Sequence, residues 1–254
     1  KRLPGPGTDP IPVADPRRKG RDIRAWFYPV FQGRSCRADV LGPGRVDRRT
    51  MAQFGDFMKI IAVAGGSGMG KTLFTKMLGE RLLKSVVLPM DQYYFDKPDD
   101  IPAEKYDFDS PQALDFRLFH KALNELAAGN PVRMPQFDYV PAKRTKEYVK
   151  IVPGDYLIIE GLYVLMHASI RSMLSYSFFL ESPPDVTVCR RCLRDMNEHG
   201  LSAKYSIQQY LTFVRPAYLT HVLPTKQFAK LVVSNGVNSR LDLFLDDFLK
   251  KFPL

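Results

Sequence analysis

Cysteine is scarce in this chain, three among 254 residues. That number builds no disulfide framework, and a reducing, cytoplasmic compartment is the natural expectation. Long apolar runs are missing too. The longest clean ones, such as Ile60–Ala64, fall far short of the roughly 20 residues that span a bilayer, so no transmembrane helix and no membrane partner is expected. Histidine occurs only at positions 120, 167, 199 and 221, too dispersed to suggest a metal cage. Cys189-Arg190-Arg191-Cys192 is formally C-x-x-C, but no second pair accompanies it, so neither a zinc site nor a redox motif is expected.

What is present is ordinary globular material: 45% hydrophobic and 25% charged residues. That excludes a wholly disordered chain, a collagen and a coiled coil. The net charge is +10, and it is unevenly placed. Residues 1–50 hold 12 Lys+Arg against 5 Asp and no Glu, a balance of +7, which leaves +3 for residues 51–254. The same stretch holds 7 Pro and 6 Gly, too little apolar material to offset ordering entropy. Residues 1–50 are therefore expected to be a basic, poorly ordered extension, with the working domain at 51–254. A targeting peptide and a nucleic-acid-binding arm are the competing readings of the extension. Its richness in Arg suits targeting, whereas five Asp and a single Ser do not.

From Met58 onward the pattern is regular. Continuous apolar runs at Met58–Ala64, Val86–Pro89, Tyr156–Ile159 and Tyr176–Leu180, with a last one at Leu231–Ser234, read as buried parallel strands. Between them lie helical patterns. Lys71–Lys84 places Leu73, Phe74, Met77, Leu78 and Leu82 on one face, and a helix is expected to start at Ser110-Pro111 and stop at Gly129-Asn130. Others are expected near Val186–Asp195 and Ser206–Val214, and a last one capped by Ser239 with the stripe Leu241, Phe244, Leu245, Phe248 and Phe252. Val132–Phe137 and Glu147–Val152 suggest a hairpin. The fold class is α/β: three layers around a mostly parallel sheet, with a small β-hairpin and a helical lid.

Gly65-Gly66-Ser67-Gly68-Met69-Gly70-Lys71-Thr72 satisfies G-x-x-x-x-G-K-[ST] between an expected strand and an expected helix. Glycines let the backbone N–H groups converge, and the helix N-terminus adds about half a positive charge. Lys71 can neutralise β- and γ-phosphate oxygens, and Thr72 can offer a hydroxyl to Mg²⁺. A dinucleotide fingerprint fits less well, because its third glycine falls on Lys71. A GTPase is disfavoured, because Thr225-Lys226-Gln227-Phe228 lacks the guanine-reading Asp. The body has the size of a small-molecule kinase.

Further blocks follow in order: Met90-Asp91-Gln92-Tyr93-Tyr94, Tyr106-Asp107-Phe108-Asp109-Ser110-Pro111, Met134-Pro135-Gln136-Phe137-Asp138-Tyr139, Ile159-Glu160-Gly161, Arg190-Arg191-Cys192-Leu193-Arg194-Asp195, Gln209–Pro216 and Leu223-Pro224-Thr225-Lys226. Together with the glycine loop they resemble the uridine/cytidine kinase family and, beyond it, the phosphoribulokinase-like group. The resemblance runs from about Lys59 to Gly236. It implies ATP as phosphate donor, Mg²⁺ as cofactor and the 5′-hydroxyl of a nucleoside as acceptor, in pyrimidine salvage. Asp91, at a strand end, would activate the acceptor hydroxyl. Glu160 and Thr72 would hold the metal, and Arg191 and Arg194, on a lid helix, would meet the charge on the transferring phosphoryl group. Tyr94, Phe108, Phe137 and Tyr139 would wall the acceptor pocket, Asp109 and Gln209 would bind ribose hydroxyls, and Asn238 would lie on the adenine side. The family also implies a homo-oligomer.

Two departures fall at positions that read the nucleobase. The family histidine after P-x-Y-D-F is Ala142, and the family's E-R-G-R reads Glu198-His199-Gly200-Leu201. A site that loses its hydrogen-bonding groups loses discrimination. A kinase of another small alcohol or a sugar phosphate therefore stands as the alternative, with Lys143 and Arg144 as candidates to face an acidic acceptor. A nucleic-acid-binding NTPase is the remote one.

Overall fold

The computed structural model describes residues 58–252; the extension at 1–50 lies outside them. Chain order begins with strand β1 (Lys59–Gly65), helix α1 (Lys71–Arg81) and strand β2 (Ser85–Pro89). Helix α2 (Phe116–Ala127) and the hairpin strands β3 (Val132–Asp138) and β4 (Lys143–Ile151) come next. Strand β5 (Tyr156–Gly161), strand β6 (Tyr176–Glu181), helix α3 (Pro184–His199) and helix α4 (Ala203–Gln209) follow. The chain closes with strand β7 (Leu231–Ser234) and helix α5 (Leu241–Lys251). Between α4 and β7 the backbone continues through π-type and 3₁₀ turns to Phe228.

Five strands form one sheet in the order β2-β5-β1-β6-β7, every described pairing parallel, and β3-β4 form a separate antiparallel ribbon. The expected strands are all there. They read as continuous apolar runs because both faces of the sheet are buried. On one face Ile61, Val63, Phe178, Leu180 and Val233 pack against Phe74 and Leu78 of α1 and Leu245 and Phe248 of α5. The other face buries Ala62, Ile159 and Phe179, and the turn at Leu223–Phe228 lies against β1.

Several local expectations are corrected. Ser110 caps only a 3₁₀ turn at Pro111–Ala113; α2 starts at Phe116, where the Asp115 side chain accepts a hydrogen bond from the Leu118 N–H. A proline preceded by a good cap thus opened a turn too short to continue. The hairpin's second arm begins at Lys143, not Glu147, because the reversal is confined to Tyr139–Ala142 and Ala142 takes a left-handed φ of 55°. Helix α5 has Arg240, not Ser239, at its N-cap position, with no side-chain cap. Leu73 and Phe252 are exposed rather than core, although the Phe252 ring still stacks on Phe248 at 5.3 Å. Among the described residues no helix is long and apolar enough to cross a membrane.

Candidate active site

Sheet order assembles the site. β5 lies between β2 and β1, so Glu160 pairs with Pro89 on one side and Val63 on the other. The chain leaves β2 into a 3₁₀ turn carrying Asp91 and leaves β1 into the glycine loop, so three segments meet at the carboxyl edge of the sheet, where ligands of open α/β folds bind. Gly161 permits the approach: a Cβ there would sit 2.6 Å from Met90 Cβ.

The loop is braced from outside. Gly70, at φ 89°, precedes α1 with no side-chain cap, so first-turn N–H groups remain for a ligand. A side chain at Gly70 would collide with the amide of Asn235. That amide donates to the Met69 carbonyl at 2.9 Å, while the Gly66 N–H donates to Met69 Sδ at 3.1 Å. Lys71 is only 8% exposed and its ammonium donates to the Gly66 carbonyl at 3.1 Å. A buried ammonium held beside curled N–H groups suits an anion.

Two acids face it. Glu160 accepts from Thr72 Oγ1 at 3.2 Å. Burial, reinforced by the Asp91 charge, pushes its carboxyl up to about 7 against the opposing pull of Lys71 and Thr72. Burial also raises Asp91, against the charges of Lys71 and Arg194. Glu160 Oε2 and Asp91 Oδ1 are buried without a hydrogen-bond partner, a condition that normally has an explanation. Hard oxygen donors of this kind fit a small divalent cation. No cluster of three or more His, Cys, Asp or Glu able to hold a metal occurs among the described residues. The arrangement matches a cation held by one or two protein oxygens, with phosphates and water supplying the rest.

Helix α3 supplies the cations. Arg191 donates from Nη1 to Ser67 Oγ in the glycine loop at 2.6 Å. Arg194 donates to Asp195 Oδ1 at 2.8 Å from Nη2. Arg190 donates to the carbonyls of Asn235 and Gly236 at 2.8 and 2.9 Å, fastening the helix to the segment after β7.

A run of aromatic rings begins just after the 3₁₀ turn that carries Asp91. Tyr94 lies 6.2 Å from Phe108 and 5.5 Å from Phe137, centroid to centroid. Phe137 lies 5.3 Å from Tyr139, and Tyr139 5.6 Å from His199 at the end of α3. Asp109 is buried beside them, its carboxyl raised by burial despite the Arg191 charge. The Tyr163 hydroxyl donates to the Asp109 carbonyl.

Not every expected residue joins this constellation. Gln209 donates to the Glu104 carbonyl at 2.9 Å, and Asn238 is exposed in the turn after β7. Lys143 pairs with Asp99 at 2.6 Å. Arg144 is spent on the Tyr94 and Tyr93 carbonyls and on Asp115, at 2.8, 3.1 and 3.4 Å. Neither cation is therefore aimed at an acidic acceptor. Ala142 is buried, its carbonyl accepting from the Lys97 N–H at 3.0 Å, and Leu201 is 37% exposed. Sequence reading missed Asn235, Arg190 and Tyr163. The S-N-G stretch closing β7 was the one available cue for Asn235.

Comparison with known proteins agrees with this geometry. The model of the phosphoribulokinase / uridine kinase family matches residues 60–241. A uridine kinase of Proteus mirabilis is 36% identical over 199 residues, 75% of this chain and 92% of that protein. A uridine kinase of Borrelia duttonii is 33% identical over 195 residues, 76% of this chain and 95% of that protein. Among solved structures, D-glycerate 3-kinase of Cryptococcus neoformans superposes with a TM-score of 0.55 at 14% identity, covering 76% of this chain and 92% of its own. A possible uridine kinase of Bacillus stearothermophilus gives 0.51 at 18%, covering 72% and 93%. At such identities the structural likeness speaks for the fold alone. The sequence match reaches further: with a family model spanning most of its body and relatives above 30% identity aligned over nearly their whole length, this chain belongs to the phosphoribulokinase/uridine kinase family.

Proposed function

We propose that this chain is an ATP-dependent kinase that phosphorylates the 5′-hydroxyl of a pyrimidine nucleoside. The observation that carries the reading is the meeting of Lys71, Asp91 and Glu160 at one sheet edge, between a glycine loop and a wall of aromatic rings. The relatives named uridine kinase support the acceptor class. The spent side chains of Lys143 and Arg144 argue against a sugar phosphate.

In this reading the loop N–H groups and Lys71 hold the triphosphate. Thr72 and Glu160 would hold Mg²⁺, which when bound neutralises phosphate charge. Asp91 orients the acceptor hydroxyl and takes its proton; burial has moved its carboxyl toward the working pH, as a general base requires. Arg191 and Arg194 meet the charge spread over the transferring group. Asp109 engages the sugar, and the rings of Tyr94, Phe108, Phe137 and Tyr139 pack on the base.

Measuring ATP consumption by the full chain across nucleosides and small alcohols tests the proposal. Acceleration by uridine or cytidine is expected; acceleration only by another alcohol would overturn the acceptor class, and none by any acceptor would overturn the kinase.

A further inference from the structure

Asp195 is the one buried charged residue of α3, 3% exposed, and the chemistry above gives it no task. Its carboxylate touches both lid arginines. Oδ1 accepts from Arg194 Nε at 3.2 Å and Nη2 at 2.8 Å, and Oδ2 lies 3.5 Å from Arg191 Nε. The two guanidiniums serve different sides of the site. Arg191 reaches Ser67 of the glycine loop, whereas the Arg194 charge is felt at Asp91.

Such an arrangement has two difficulties. Like charges about one helical turn apart repel, and each long arginine side chain loses rotamer entropy when it is held in one place. A single carboxylate between them answers both: it cancels part of the repulsion, holds the Arg194 fork by hydrogen bonds to Nε and Nη2, and pairs by charge with Arg191, whose Nε makes no hydrogen bond and whose Nη1 stays with the loop. We propose that Asp195 is a positioning residue for phosphoryl transfer, fixing Arg191 over the phosphate loop and Arg194 toward the acceptor acid before substrates arrive. Asp195 touches no substrate in this role; it acts through the arginines, as preorganised electrostatic catalysis requires. Burial works against the Arg194 charge, but Asp195, with Asp91 and Glu198, holds that guanidinium more firmly protonated than usual. The carbonyl of Asp195 also takes the Leu201 N–H at 3.1 Å at the helix end, a main-chain bond that a side-chain substitution leaves in place.

The inference rests on the kinase reading, so the test carries one readout that does not. In the full chain, Asp195→Ala is expected to lower kcat roughly a hundredfold with KM for ATP changed by less than about threefold. Asp195→Asn, which keeps an acceptor oxygen without the charge, is expected to fall between Ala and wild type. Thermal unfolding of each variant corrects kcat for the folded fraction. In an Arg191→Gln, Arg194→Gln background Asp195→Ala is expected to cost little more, within about twofold. Wild-type kcat in folded Asp195→Ala, or the full loss repeated without the arginines, would overturn the role. Independently of turnover, the Arg194 Nε–H is expected to be protected from solvent exchange in NMR spectra of the wild type and unprotected in Asp195→Ala. Persistence of that protection would overturn the role even if no acceptor were phosphorylated.

Discussion

Glu160 and Asp91 sit where ionisation costs most, buried and close enough for the Asp91 charge to push Glu160 up to about 7. An unfolded glutamate titrates near 4.3, so between roughly that value and 7 the folded chain binds a proton that the unfolded chain lacks, and stability falls as pH rises through the window. Glu160→Gln removes the ionisation. The ligand-free variant is therefore expected to unfold at a higher temperature than wild type near pH 8, with the difference shrinking steadily as pH falls through the window toward the unfolded glutamate's value. An unchanged transition near pH 8 would contradict the assigned cause. Asp91 is raised in the same direction, so part of the pH dependence stays in the variant. The two acids were recognisable one at a time, each following a short apolar run, but their mutual repulsion was not: it depends on β5 inserting between β2 and β1. Asn235 shows the same limit, bracing a loop residue 166 positions away.

At the scale of elements, Arg144 is the side chain of the hairpin that reaches most of its anchor points on the body, beside main-chain ties such as the Phe137 N–H to Gln92 Oε1 at 2.8 Å. Arg144 of β4 donates to two carbonyls of the Tyr93-Tyr94 segment, touches Asp115 at the cap of α2 and lies 5.5 Å from the Phe95 ring. Read as sequence, Lys143 and Arg144 were cations in a turn; in the fold they belong to a strand whose partner is Phe137-Asp138. Arg144→Met keeps the aliphatic stem and loses the donors. It is expected to cost about 2–3 kcal/mol in urea unfolding, with the added effect of loosening Tyr94 in the aromatic wall. A loss below about 0.5 kcal/mol would mean that the hairpin is held elsewhere. The buried strands were legible because two covered faces make them uniformly apolar. The start of α2 was not, because Ser110-Pro111 and Asp115 both carry helix-start chemistry and only packing chooses between them.

For the whole molecule, the uneven charge matters most. Of the formal +10, seven charges lie in residues 1–50, whereas the family match spans 60–241 and every residue assigned to the site lies within it. Removing residues 1–50 is accordingly expected to leave kcat and both KM values unchanged; a loss of turnover with the remaining chain folded would give the basic extension a part in catalysis. The glycine loop was readable as a contiguous motif, and the ordered blocks carried the family. The wall of aromatic rings needed the three-dimensional fold to bring Tyr94, Phe108, Phe137 and Tyr139 into one series. In the proposed reaction Asp91 activates a nucleoside 5′-hydroxyl toward a phosphate held by the loop. The most direct test is to incubate the full chain and its Asp91→Asn variant with ATP, Mg²⁺ and uridine or cytidine, and to identify the product by phosphorus NMR. A nucleoside 5′-monophosphate is expected from the wild type and a rate roughly 10²–10⁴-fold lower from the folded variant; a variant as fast as wild type, or a wild type that forms no such product, would contradict the role of Asp91.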